Sequence, residues 1–220
     1  MAPKLLSSTN FKSLFNSVDT FLFDCDGVIW KGDTLIDGGK NIVFVTNNSM
    51  KSRRQYAEKF RSLGLASVTQ DEIFSSSFAA AMYLKANNFP KDKKVYVIGG
   101  EGILEELQLA GFTGLGGPED GEKKAQWKSN SLFQHDKTVG AVVVGLDPNI
   151  NYYKLQLTQE LKWAGMGPSV YARIRDVFSL PPTVMQFGTE TSRMCMVGDR
   201  LDTDVLFGQN AGCKTLLVLS

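Results

Sequence analysis

The sequence predicts an α/β fold, a doubly wound, Rossmann-like sheet of parallel strands. Short apolar runs of strand length alternate with longer stretches of helical periodicity, which is typical of a parallel sheet with helices on both faces. The runs are apolar at nearly every position, as expected for strands that are buried on both sides. They are Phe21–Phe23, Asn41–Thr46, Val95–Gly100, Ala141–Asp147 and Met194–Val197.

The stretch FLFDCDGVIW, residues 21–30, places two carboxylates directly after the first of these strands. Gly27 ends the strand, so Asp24 and Asp26 are predicted at the carboxyl edge of the sheet, where open α/β sheets bind ligands. Alternation along an extended chain points both acids to one side and turns Cys25 into the core. The residues therefore predict a catalytic edge at this strand.

Two acids in this arrangement can divide the work of phosphoryl transfer. One ionised carboxylate can coordinate magnesium and attack phosphorus, while the other donates a proton to the leaving oxygen and later activates water. The alternative is that the pair only closes a strand in a polar turn, which is the commoner use of a bare Asp-x-Asp. Asp24 and Asp26 alone do not distinguish a catalytic pair from a polar turn, so the motifs elsewhere in the chain are needed.

A helix is predicted before the first strand, but not between the first and second strands. Residues 10–17 form a short amphipathic pattern and predict a helix. Residues 31–40 are too short, and too rich in glycine, for the helix that normally crosses between parallel strands. A crossover helix therefore hardly fits between the first two strands.

Two helices are predicted after the second strand. Ser49 is a candidate N-cap of the first, and Gly64 is its candidate C-cap. The buried face of this helix is predicted to contain Tyr56, Phe60 and Leu63. Its basic residues, Lys51, Arg53 and Arg54, are interpreted as a solvated face rather than an anion site. Thr69 is the candidate cap of the second helix, which continues through Ala79 to Leu84.

A second α/β section is predicted from Val95 onwards. The strand VYVIGG opens into the helix EGILEELQLAG, and GGEG between them lacks the full dinucleotide and P-loop patterns, so a plain strand-to-helix turn is predicted. The polar, glycine-rich residues 114–130 are predicted to form a surface loop. His135 is the single histidine and has no acid or cysteine at metal spacing, so no role is assigned to it.

The last two predicted strands are assigned to the same sheet as the strand Phe21–Phe23. Asp199 ends the strand Met194–Val197, and a helical turn is predicted over residues 203–210 with Gly212 as its C-cap. The strand Thr215–Leu219 follows.

Composition narrows the classes of function. The chain has 220 residues and a formal net charge of +1, so no strong field argues for nucleic acid or a membrane surface as partner. No apolar run approaches the roughly 18 residues of a transmembrane helix. The three cysteines, Cys25, Cys195 and Cys213, lie in apolar runs and are interpreted as reduced core thiols. Although the Ser-rich first residues faintly resemble a transit peptide, the early first strand favours a cytoplasmic protein.

Three blocks occur in the order found in one enzyme family. FLFDCDGV, FVTNNS (residues 44–49) and MVGDRLDTD (residues 196–204) resemble the first, second and last motifs of the haloacid dehalogenase superfamily of phosphohydrolases. Each block alone is weak, because a Thr after a strand is commonly a helix cap and Gly-Asp is commonly a turn. Together they identify the chain as a member of this superfamily.

The resemblance implies a role for each motif residue. Asp24 would form an aspartyl phosphate and Asp26 would act as acid and then base. Magnesium would lie between the Asp24 carboxylate, the Asp26 backbone carbonyl and Asp199, with Asp204 supporting the metal site from the second shell. Phosphoryl oxygens would be oriented by the Thr46 hydroxyl and by Asn47, in part through its backbone N–H.

The middle of the chain resembles the inserted cap of the subgroup that includes plant phosphoglycolate phosphatase and 4-nitrophenylphosphatase. The runs DEIFSSSFAAAMYLK, KKVYVIGGEG and VGAVVVGLDPNINYYKLQ carry this resemblance. It implies a discontinuous phosphohydrolase core, residues 1–85 and 187–220, with a partial, truncated α/β cap at 86–156. Residues 157–186 would replace the rest of the cap and the third motif.

The third motif of the family, a Gly-Lys-Pro, has no clear match in this chain. GMGPSV, residues 165–170, is the nearest sequence, but Gly167 stands where the lysine should be. Lys154 and Lys162 are predicted to be solvated, and Arg173 or Arg175 would be a poor substitute. Removing one charge-stabilising donor typically costs about 2.7–4 kcal/mol in the transition state, or about 10²–10³ in rate.

The resemblance as a whole implies a magnesium-dependent phosphatase whose partner is a small phosphorylated substrate, 2-phosphoglycolate. Two alternatives stay open: a catalytically dead binding or regulatory protein, and a splice or gene-model variant that does not fold stably. The sequence also leaves open whether the chain forms a homodimer.

Overall fold

The computed structural model describes residues 5–25, 28, 41–125, 136–163, 171–173 and 189–218. The chain divides into two compact units, one comprising Met1–Val45 with Ser179–Ser220 and the other Thr46–Phe178. The strands are β1 (Thr20–Asp24), β2 (Asn41–Thr46), β3 (Ile73–Ser75), β4 (Lys94–Ile98), β5 (Thr113–Gly116), β6 (Val139–Val144), β7 (Tyr171–Arg173), β8 (Met194–Gly198) and β9 (Lys214–Leu217). The α-helices are α1 (Ser8–Asn16), α2 (Arg53–Ser62), α3 (Ser76–Ala86), α4 (Glu101–Leu109), α5 (Tyr152–Trp163) and α6 (Leu206–Asn210).

The strands form two sheets, which confirms the predicted α/β class with parallel pairing. The first sheet has the order β3-β2-β1-β8-β9, and β1 is parallel to both β2 and β8. The second has the order β5-β4-β6-β7, with parallel pairs throughout. Crossovers between sequence-distant strands, such as β1 and β8, produce the doubly wound arrangement.

The core of the first unit lies where α1 packs on the central strands. Val18, Phe21, Cys195 and Val197 are buried together, and Leu14 and Phe15 of α1 pack against them. Helix α1 begins two residues earlier than predicted because Ser7 and Asn10 form a reciprocal capping box. The predicted burial of Cys25 and Cys195 is confirmed, whereas Cys213 is only partly buried.

The second sheet is buried on both faces, as its continuous apolar strands predict. Val95 and Val97 of β4 face the small-residue helix α3 and helix α4, in one cluster with Ile103 and Leu107. The intervening residues of β4, Tyr96 and Ile98, point to the opposite face, where Leu157 of α5 packs. This alternation is the two-residue period of an extended strand.

Several predicted helix boundaries were wrong because hydroxyl groups formed other contacts. Ser52, not Ser49, caps α2, and the buried Ser49 hydroxyl instead accepts a hydrogen bond from the Leu146 amide. Thr69 precedes a 3₁₀ turn at residues 70–72, and α3 is capped by Ser75. Leu63 is 53% exposed because α2 ends there, while Tyr56 and Phe60 are buried as predicted.

The basic start of α2 is solvated at Lys51 and Arg54, as predicted, but not at Arg53, for which the prediction was wrong. The Arg53 side chain is only 13% exposed, pairs with the fully buried Glu106 at 3.2 Å and covers the ring of Phe78. Arg54 pairs with Glu105. Burial raises the pKa of Glu106, and Arg53 opposes that rise. These pairs join α2 to α4 within the second unit.

The turn between β4 and α4 is a plain strand-to-helix connection, as predicted. The predicted loop at residues 114–130 was wrong at its start, because residues 114–116 belong to β5 and residues 117–120 form a 3₁₀ turn. His135 lies outside the described residues. No helix in the described part of the chain has the length and apolar character needed to cross a membrane.

Candidate active site

Neighbouring parallel strands deliver two acids to one edge of the first sheet. β1 and β8 pair in register from Thr20 beside Met194 to Phe23 beside Val197. Asp24 is the last residue of β1, and Asp199 follows the end of β8, so both acids lie at the carboxyl ends of their strands. A third acid, Asp204, joins them, and one carboxylate oxygen from each lies within 4.8 Å of the others.

Asp204 reaches this cluster because the chain after β8 is tightly wound. Residues 201–205 form a single π-helical turn, a geometry that is frequent at functional sites. Both oxygens of Asp204 are occupied: the Arg200 amide donates to Oδ2 and the Thr203 hydroxyl to Oδ1, each at 3.0 Å. A Cβ on Gly198 would lie 2.2 Å from the Asp204 Cβ, so only glycine permits this approach.

Asp199 differs from Asp204 in its hydrogen bonding. Its Oδ1 atom is buried, and it has no hydrogen-bond partner among the residues that the structure describes. A buried carboxylate oxygen without a partner is costly, unless a cation satisfies it. Three converging carboxylates are the hard oxygen ligands that Mg²⁺ prefers. The donor set at this edge therefore fits a magnesium ion, with Asp24 and Asp199 as direct ligands and Asp204 held in place by its own hydrogen bonds.

The second motif lies at the end of β2, the strand on the other side of β1. Val45 is the register partner of Asp24, and Thr46 follows it as the last residue of β2. The Thr46 side chain is buried, and its hydroxyl accepts a hydrogen bond of 3.2 Å from the Asn48 amide. The Tyr56 hydroxyl lies 3.4 Å from it. Asn47 is exposed.

Asp26, the predicted acid and base, lies outside the described residues, as do residues 165–170 and Arg175. Lys162 and Arg173 belong to α5 and β7, but the structure does not describe their side chains.

Lys154 is not solvated, which corrects the prediction. Its side chain is 0% exposed, and its ammonium donates to Asp147 Oδ2 at 2.6 Å, with the Asp147 side chain itself only 4% exposed. Because this ammonium is already paired with a buried carboxylate, Lys154 is a structural cation of the second unit. It is therefore a poor candidate to replace the lysine of the third motif.

Sequence reasoning missed the residues that hold the predicted acids and hydroxyls. The sequence predicts Gly198 only as part of the last motif, Thr203 only as the start of a helical turn, and Tyr56 only as a buried residue of a helix. The one local signal was the Gly-Asp pair, which is compatible with a turn as well as with a close approach. Tyr56 had no signal, because its contact with Thr46 depends on how α2 packs.

Comparisons with known proteins agree with this geometry. A family model described as haloacid dehalogenase-like hydrolase matches residues 21–113, and a second model, described as HAD-hydrolase-like, matches residues 168–220. Phosphoglycolate phosphatase 2 of Arabidopsis thaliana is 69% identical over 267 residues, covering 100% of this chain and 89% of that protein. The chloroplastic phosphoglycolate phosphatase 1A of the same plant is 52% identical, covering 96% and 71% of the two chains.

A solved structure supports the fold independently. The p-nitrophenyl phosphatase from Archaeoglobus fulgidus matches with a TM-score of 0.67 and 26% identity, covering 92% of this chain and 86% of that one. The alignment with Arabidopsis phosphoglycolate phosphatase 2 is longer than the 220 residues of this chain, so that relative contains residues without a counterpart here. The chain belongs to the haloacid dehalogenase-like hydrolase family of phosphatases.

Proposed function

We propose that this phosphatase hydrolyses 2-phosphoglycolate to glycolate and phosphate, with magnesium as cofactor and an aspartyl phosphate on Asp24 as intermediate. The observation that carries the proposal is the convergence of Asp24, Asp199 and Asp204 around a buried Asp199 oxygen without a described partner. Bound magnesium would offset these negative charges and polarise a phosphoryl oxygen. Nucleophilic attack, proton transfer and orientation of the phosphoryl group are proposed to be performed by side chains of the protein.

Asp24 is the proposed nucleophile because it ends the central strand and is only 9% exposed. Its carboxylate attacks phosphorus, the ester P–O bond breaks, and Asp26 gives its proton to the leaving glycolate oxygen. Water then attacks the aspartyl phosphate while Asp26 takes a proton from it. Phosphate leaves, and both carboxyl groups return to their starting state.

Thr46 and Asn47 are proposed to orient the phosphoryl group. The register of β1 and β2 supports this role, because it brings the ends of both strands to one sheet edge. The Thr46 hydroxyl accepts from Asn48, and with the Tyr56 hydroxyl, 3.4 Å away, also donating to it, its own proton can point to a phosphoryl oxygen. Asp204 is proposed to support the metal site without binding the metal directly, since both its oxygens already accept hydrogen bonds.

The choice of 2-phosphoglycolate and of the cytoplasm rests on relatedness. Identity to phosphoglycolate phosphatase 2 exceeds identity to the chloroplastic protein, 69% against 52%. We further propose that residues 86–156 act as a partial cap that selects the substrate, and that 157–186 replace the rest of the cap. A homodimer stays part of the proposal.

A second candidate function is a protein that binds phosphate and magnesium but turns over slowly or not at all. The pairing of Lys154 with Asp147 favours it, because that lysine is committed to another carboxylate. Loss of the family's lysine would lower the rate by about 10²–10³.

The test is release of phosphate from 2-phosphoglycolate and from 4-nitrophenyl phosphate, with and without magnesium. Asp24→Asn removes the nucleophile while keeping the shape of the side chain. Asp202→Asn is the matched control, because Asp202 lies near the site in sequence but is 65% exposed and pairs with Arg200.

Magnesium-dependent release that disappears only in Asp24→Asn would support the phosphatase proposal. Absence of release from protein that unfolds cooperatively, together with magnesium binding, would support the second candidate. A protein without cooperative unfolding would instead support a variant that does not fold stably.

A further inference from the structure

Three consecutive serines, Ser75, Ser76 and Ser77, open helix α3, and all three are 0% exposed. A buried hydroxyl needs a hydrogen-bond partner, yet a helix needs only one N-cap. Ser75 is that cap, because its oxygen accepts from the Phe78 amide at 3.2 Å. The cap does not need the Ser76 hydroxyl, whereas the Ser77 hydroxyl lies 2.7 Å from the Ser75 hydroxyl.

The Ser76 and Ser77 hydroxyls donate to backbone carbonyls within and just after the second motif. Ser76 Oγ donates to the Asn47 carbonyl at 2.9 Å, and Ser77 Oγ donates to the Lys51 carbonyl at 2.8 Å. All of these residues belong to the second unit. The start of α3 thus holds the chain immediately after Thr46 at two points.

The peptide between Asn47 and Asn48 is held at both of its ends. Its carbonyl accepts from Ser76, and its N–H donates to the Thr46 hydroxyl at 3.2 Å. Rotation of this peptide would break both hydrogen bonds at once. The bond from Asn48 also fixes the Thr46 oxygen as an acceptor, and the Thr46 proton can point to a phosphoryl group when the Tyr56 hydroxyl, 3.4 Å away, donates to Thr46.

We propose that Ser76 is a positioning residue for phosphate binding. By fixing the Asn47–Asn48 peptide, it holds the Thr46 hydroxyl and the Asn47 backbone in the orientation in which they donate to a phosphoryl group. This inference rests on the role proposed above for Thr46 and Asn47. Ser77 has the same burial and chemistry but holds a carbonyl four residues further along.

The experiment compares Ser76→Ala with Ser77→Ala, its matched control. Each substitution removes one buried hydroxyl, so both should lower the unfolding temperature, and Ser77→Ala at least as much as Ser76→Ala, because the Ser77 hydroxyl also contacts the Ser75 hydroxyl at 2.7 Å. Only Ser76→Ala should lower kcat/KM, by about tenfold through kcat, and raise the inhibition constant of inorganic phosphate. Ser76→Thr keeps a hydroxyl and should restore most of the activity. Exchange of the Asn48 amide with solvent should accelerate in Ser76→Ala alone.

Equal losses of activity in the two alanine variants would overturn the inference, because they would indicate a general loosening of α3. Unchanged kinetics in Ser76→Ala would overturn it as well. Thr46→Ala separates this failure from failure of the proposed function. If Thr46→Ala loses activity while Ser76→Ala does not, only the positioning role of Ser76 is rejected. If the wild-type protein releases no phosphate, the proposed function is wrong and this inference with it; if Thr46→Ala is fully active, the phosphatase function stands but the role of Thr46 and this inference are wrong.

Discussion

Replacing Asp199 by asparagine should stabilise the metal-free protein although it removes a proposed metal ligand. Three carboxylate oxygens lie within 4.8 Å of one another, and the Asp199 Oδ1 atom has no partner among the described residues. Two unit charges 4.8 Å apart repel by about 3.5 kcal/mol at an effective dielectric constant of about 20. Asn keeps the shape of the side chain and removes its charge.

The expected gain in the free energy of unfolding is about 2–3 kcal/mol. It is smaller than the Coulomb energy suggests, because Asp199 is only partly buried and water screens its charge. For a chain of this size, the gain corresponds to a rise of about 4–12 °C in Tm. The measurement is denaturant and thermal unfolding in excess EDTA, with Asp202→Asn as the control that should change neither quantity.

Magnesium should make the wild-type protein more stable than Asp199→Asn, the reverse of their order in EDTA. A ligand that binds only the folded state stabilises it by about 2.7 kcal/mol at a concentration of 100 Kd. Wild-type protein should gain this stability on titration with magnesium, and Asp199→Asn should gain little. The reasoning is refuted if Asp199→Asn is less stable than wild type in EDTA, or if magnesium stabilises both proteins equally.

Three further results are expected. Lys154→Met should cost about 3–5 kcal/mol of stability in denaturant unfolding, because it leaves the buried Asp147 carboxylate unpaired. The Cys195 thiol should resist disulfide reagents at pH 8 until the protein unfolds, because burial raises its pKa to about 12. Asp136→Asn should remove stability at neutral pH, and this loss should shrink as the pH falls below about 3.8, measured by unfolding across the pH range, because Lys94 holds the pKa of Asp136 below its ordinary value.

The sign of the last effect follows from linkage. A depressed pKa in the folded state gives stability that is present above the unfolded pKa, about 3.8 for Asp136, and is lost as the pH falls. A constant difference between wild type and Asp136→Asn at all pH values would contradict it. For Lys154→Met, the control is the double variant with Asp147→Asn, which should recover part of the loss. Rapid labelling of Cys195 in folded protein would contradict the second expectation.

Much of the fold could be predicted from local pattern. The apolar runs at Phe21–Phe23 and Met194–Val197 became adjacent parallel strands, and Asp24 and Asp199 lie at their carboxyl ends. Helix ends were less predictable: Ser49, Ser52 and Ser75 are equally good caps by residue type. Which of them caps a helix depends on which hydroxyl is taken by a distant backbone group, as Ser49 is by Leu146.

The sequence by itself determined which chemistry is present and at which strand ends, because strand burial and the position of an acid after a strand are local properties. Tertiary structure decided which polar groups are satisfied. It paired Lys154 with Asp147, left the Asp199 oxygen without a described partner and brought Ser76 to the Asn47 carbonyl. These outcomes depend on contacts between distant elements, and hydrogen bonds and ion pairs form only within a few ångströms, so no local pattern could specify them.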